Sequence, residues 1–101
     1  MGVERVVRFP GPVPAWAAVL GALRAAGHAP VVRMIDGLPA FPDEEPPPDC
    51  RELRVGLPGG MVTLRRGDEA MTAVVWGTAD PALAAAQTAC AEACEQAGGG
   101  G

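Results

Sequence analysis

Glu52-Leu53-Arg54-Val55-Gly56-Leu57-Pro58-Gly59-Gly60-Met61-Val62-Thr63-Leu64-Arg65-Arg66 is the stretch that decides the fold. Leu53, Val55 and Leu57 alternate with Glu52, Arg54 and Gly56, the period of a strand with one buried face. Val62 and Leu64 then face one way while Thr63 and Arg65 face the other. Between the two runs, Leu57-Pro58-Gly59-Gly60 fits a type II turn, with Pro at its second position and Gly at its third. The pair reads as an antiparallel hairpin. A further turn at Gly67-Asp68-Glu69 leads into Ala70 to Trp76, the most apolar strand of the chain.

Working outward from this meander, Val3 to Phe9 is β-branched and extended in character, a first strand ended by Pro10-Gly11-Pro12. From about Pro14 to Ala26 the period becomes helical. Trp16, Val19, Leu20 and Leu23 form one apolar stripe, and Gly27 supplies a left-handed cap. The opposite face carries Ala18, Gly21, Ala22 and Ala25. Side chains this small point to close packing by a second helix or another subunit, or simply to an alanine-rich coding bias. Val31 to Ile35 is the second strand, closed by Asp36-Gly37. A strand–helix–strand unit of this length is expected to cross over right-handed, with the two strands parallel.

Leu38 to Cys50 reads as one irregular loop. It holds Phe41 between prolines, the acidic run Asp43-Glu44-Glu45, and Pro46-Pro47-Pro48, which excludes a central strand. At the other end, Asp80-Pro81 offers an N-cap acceptor and a proline at the first helical position, so a second helix is expected from there to about Ala97. The order is β-α-β-β-β-β-α. It predicts an α+β two-layer sandwich, a mostly antiparallel sheet with two helices on one face. The expected division is a single domain over 1–97 and a flexible glycine tail over 98–101. The same element order occurs in the repeats of the TATA-binding protein, with ferredoxin-like domains near it, an analogy of topology that does not carry function.

Composition narrows the chemistry. The 101 residues contain no Lys, Ser, Asn or Tyr, and all eight basic residues are Arg. A serine nucleophile, a Schiff-base lysine, a tyrosine acid and a phosphate-loop lysine are therefore excluded. The reading leans away from an enzyme, with no catalytic residue assigned and no cofactor expected. A formal charge of −4 argues against nucleic acid as a partner. No apolar stretch is long enough to span a bilayer, and Met1 to Arg5 does not begin a secretory signal. Three cysteines, an odd number, then read as reduced thiols in a cytoplasmic protein.

Cys90 and Cys94 stand one helical turn apart, a spacing that can hold a metal, with Cys50 or His28 as the remaining ligand candidates. They share a helix face with Leu83, Ala86 and Ala97, opposite Thr88, Glu92 and Glu95, so core packing is the competing reading. His28 follows the Gly27 cap, where the helix dipole favours it without any catalytic role. The acidic loop lacks the alternating ligands and turn glycine of a calcium site.

Seven of the arginines fall in strands or at their edges. If Leu53, Val55, Val62, Leu64, Val32 and Met34 face the helices, the other face collects Arg8, Val31, Arg33, Ile35, Arg54, Thr63 and Arg65. Thr72, Val74 and Trp76 join it in one register of the last strand. Arginine, tryptophan and aliphatics mixed on a flat face is interface composition. Arg33, Ile35, Arg54, Arg65 and Trp76 are therefore the candidate interface. The function expected is a non-catalytic binding or assembly domain, a homo-oligomer through this open face or a docking module for another protein. Two other readings stand beside it. One is a metal- or thiol-dependent protein using Cys90 and Cys94. The other is a small-molecule pocket between the sheet and the long loop.

Overall fold

Residues 2–41, 44–47, 49–76 and 81–98 are described by the computed structural model. Its elements run β1 (Gly2–Arg8), α1 (Trp16–Ala25), β2 (Val31–Ile35), β3 (Leu38–Pro39), β4 (Glu52–Leu57), β5 (Gly60–Arg66), β6 (Ala70–Trp76) and α2 (Pro81–Ala97). The strands form one sheet in the order β1-β6-β5-β4-β2-β3. Every neighbouring pair is antiparallel. It follows that β1 and β2 do point the same way, as a strand–helix–strand unit requires, but three strands lie between them.

The helices cover one face of the sheet. From α1 the stripe of Trp16, Val19, Leu20 and Leu23 is buried. It meets Val32, Leu53, Val55, Val62 and Leu64 in one core. Gly27, at φ 94°, ends the helix. His28 N–H bonds back to the Leu23 carbonyl and Gly27 N–H to that of Arg24, the paired bonds of a Schellman cap. The second helix packs on β1, β5 and β6 and beside α1. Ala22 and Ala89 meet the core where the two helices come together. Part of the small-residue face of α1 is thus used by α2, while Ala18, Gly21 and Ala25 stay exposed.

Three features differ from what the sequence alone suggests. Leu38 and Pro39 are a short strand, because Asp36 (φ 50°) and Gly37 (φ 81°) make a two-residue turn with both residues left-handed. Such turns match the twist of the strands they join. The β4–β5 turn does centre on Pro58-Gly59, but the positive φ falls on Gly60 (139°) rather than on Gly59, so it is not type II. Close packing explains the second glycine. A side chain at Gly59 would strike the Ala82 carbonyl and one at Gly60 the Leu83 side chain, so the start of α2 rests directly on this turn.

The third difference matters most for the surface. The register of β2 against β4 pairs Val32 with Val55 and then Met34 with Arg54, leaving Arg33 unopposed in a bulge. Alternation is broken at that point. Ile35, expected on the open face, lies in the core opposite Leu53, and Met34, expected inside, shares the outer side with Arg54. Asp80, the expected cap of α2, and Asp43 of the acidic run lie outside the described residues, as do Gly99 to Gly101. Gly98 lies so close to the Phe9 ring that a side chain there would collide with it.

Candidate functional site

The sheet face away from the helices is built by simple alternation. Cross-strand pairing sets Met34, Arg54, Thr63, Val74 and Glu4 in one row and Glu52, Arg65, Thr72 and Val6 in the next. Met61 and Trp76 share this side by the same period. Arg33 joins them from the bulge, its Nε lying 3.2 Å from where a Gly56 Cβ would stand. A glycine inside a strand is a common mark of such a close approach.

This face has a small buried layer of its own. Thr63 and Val74 are 1% and 0% exposed, although neither faces the helices. Trp76 covers them. Its indole Nε1 donates to Thr63 Oγ1 at 3.3 Å. The Arg65 guanidinium sits 5.8 Å from the centre of its ring, within cation–π range. Arg65 Nε also donates to Glu52 Oε2 at 3.0 Å, directly across the strand pair. The indole and guanidinium therefore hold a fixed, amphipathic plate over the middle of the face. Trp76 is nonetheless 52% exposed and Val6 49%, and Met61 is exposed as well. A shallow depression of about 500 Å³ runs from Arg54 and Thr63 past Trp76 to the Gly59-Gly60 turn.

Four of the five residues expected at the interface, Arg33, Arg54, Arg65 and Trp76, are thus brought together, and Ile35 is not. Val6, Met34 and Met61 belong to the face but were not singled out in the sequence. For Val6 the signal was present, since it alternates with Val3, Arg5 and Val7. For Met34 it was hidden by the bulge.

The thiols are differently placed. Cys90 and Cys94 are buried on the core side of α2, and burial pushes both up to about 12. Cys50 is buried at the end of the long loop and is pushed up to about 11, first by burial and then by Asp36 and Asp49. A thiolate is the metal ligand and nucleophile, so all three are in the unreactive form at neutral pH. Among the described residues no three His, Cys, Asp or Glu side chains cluster as a metal site. His28 is half-buried and lines the groove between the helices with Ala22, Ala89 and Glu92.

Two clefts flank the long loop. One, of about 430 Å³, is walled by Val13, Asp49, Cys50, Arg51, Arg66 and Asp68. Both of its carboxylates, Asp49 and Asp68, are exposed. The other, about 190 Å³, holds Arg24 near Glu44 and Glu45, also exposed. Neither offers the buried carboxylate beside an arginine that proton-transfer chemistry would use. No described helix is long and apolar enough to cross a membrane. Comparison with protein-family models, with curated proteins and with solved structures finds no match to this chain.

Proposed function

We propose that the protein is a non-catalytic binding and assembly domain whose contact surface is the open face of its sheet, and that it self-associates. The observation that carries this reading is the half-exposed Trp76, fixed under Arg65 in the middle of that face. Tryptophan and arginine are the residues most enriched where proteins bind one another. Of the six large apolar side chains left exposed among the described residues, Val6, Met61 and Trp76 lie here together. Arg8, Arg33, Arg54 and Arg65 ring them, against Glu4 and Glu52. A reducing, cytoplasmic setting fits three free, buried thiols.

Sedimentation from low to several hundred micromolar tests the reading, with Met61→Glu and Trp76→Glu as separate open-face variants away from the sheet edge. A dimer that weakens in at least one of them is the expected result. A strict monomer throughout overturns self-association, and a dimer untouched by both overturns the open face as its contact.

A further inference from the structure

The two edges of the sheet are unlike. At one, β3 is two residues long and ends in Pro39, which blunts it against further pairing. The other is β1, seven residues without a proline or a bulge. Phe9 N–H donates to the Glu69 carbonyl. In the β1–β6 register this makes the odd-numbered residues of β1 the ones bonded to β6. The backbone N–H and C=O groups of Glu4, Val6 and Arg8 therefore point outward from the sheet. Val3, Glu4, Arg5, Val6 and Arg8 are all exposed, so nothing described covers this edge.

The side chains along it are self-complementary about Val6. We infer that a second copy of the chain pairs with β1 antiparallel to itself, with the two-fold axis at Val6, and joins the two sheets into one. In this register Val6 meets Val6 of the second copy, and each Glu4 meets an Arg8 on the open face. Towards the helices, Val3 meets Phe9. Every outward N–H and C=O of Glu4, Val6 and Arg8 gains a partner, opposite charges pair twice, and two half-exposed valines close on each other. Moving the axis to Glu4 would set glutamate on glutamate, and moving it to Arg8 would set arginine on arginine. Charge thus selects one register. The two open faces become a single surface with a Trp76–Arg65 plate on either side of the axis.

The inference rests on self-association as proposed above, and charge reversal separates the two. Seven residues of edge make a contact smaller than the roughly 1,200 Å² of a standard interface, so the dimer is to be sought at high micromolar protein. Glu4→Arg and Arg8→Glu each place like charges opposite one another twice and should weaken the dimer about tenfold. The double reversal restores the pairs and should recover wild-type affinity. Val6→Cys should cross-link under oxidised glutathione, which takes up the two electrons, because an antiparallel hydrogen-bonded pair sets Cα atoms about 5.5 Å apart, within disulfide reach. The native thiols are buried and leave a low background. A dimer insensitive to both reversals but dissociated by Trp76→Glu overturns this register and leaves the open-face reading standing. Failure of the double reversal to restore affinity, or of Val6→Cys to cross-link in a persisting dimer, also overturns it. A strict monomer overturns both.

Discussion

Trp16 Nε1 donates to the Cys50 carbonyl at 2.7 Å, so the first residue of α1 holds the end of the long loop 34 residues further on. The indole is almost wholly buried. A loop rich in proline has no ladder of its own to fix where it re-enters the sheet, and this bond does so just before β4 begins. Trp16→Phe keeps an aromatic ring but leaves a buried carbonyl without its donor. A loss of about 2–3 kcal/mol in denaturant unfolding is expected. Trp76→Phe, at a half-exposed position, should cost under about 1 kcal/mol beside it.

Asp36 Oδ1 accepts from the backbone N–H groups of Arg51 and Glu52, at 2.8 and 3.0 Å. The same residue occupies the left-handed region at φ 50°. One side chain therefore fixes both the β2–β3 turn and the start of β4. Asp36→Ala loses both bonds and tolerates that backbone less well, and should cost about 2–3 kcal/mol. Asp36→Asn keeps an acceptor oxygen and the left-handed tolerance, so its loss in the same unfolding measurement should be smaller.

Gln87 is buried on α2 and its amide nitrogen donates to the carbonyls of Val3 and Ala73, at 2.8 and 3.0 Å. It clips β1 and β6 to the helix. Gln87→Leu should destabilise by about 1–2 kcal/mol and speed amide exchange in β1 before the rest of the sheet. Gln87→Glu can donate only when protonated, so its stability should rise as pH falls, a dependence absent from Gln87→Leu.

The three thiols give stability an alkaline limit. Their pKa values are raised in the folded protein, to about 11 for Cys50 and about 12 for Cys90 and Cys94, from an ordinary value of 9.0. The unfolded chain therefore loses these protons first as pH rises, and unfolding is favoured. Their contribution is fully present below pH 9 and is lost as pH climbs from 9 through 11 to 12. Lys and Tyr are absent from the sequence, so no other side chain titrates in that window to mask the slope. Denaturant unfolding from pH 8 to 11 should show a steady loss, reduced in Cys90→Ala once its own destabilisation is subtracted. Thiol reagents at pH 8 should reach Cys90 and Cys94 only as fast as the protein unfolds.

Much of the fold was written in local patterns. The alternation of Leu53, Val55 and Leu57 and the stripe of Trp16, Val19, Leu20 and Leu23 each report one buried face over a few residues, and both faces are the ones buried. The same is true of Cys90 and Cys94, whose helical neighbours placed them inward, and of Trp76, which a period of two carries to the open side. What only the tertiary structure decided depends on residues far apart in the chain. The bulge at Arg33 exists because β2 meets β4 across the long loop, and it reverses Met34 and Ile35 although neither residue carries a sign of it. Gln87 finds Val3 across 84 positions. The order that leaves β1 at an open edge is likewise a matter of which strands pair. Periodicity records the face a side chain takes within its own element; a partner, a register and an edge are properties of two elements, set by how the whole sheet closes over one core.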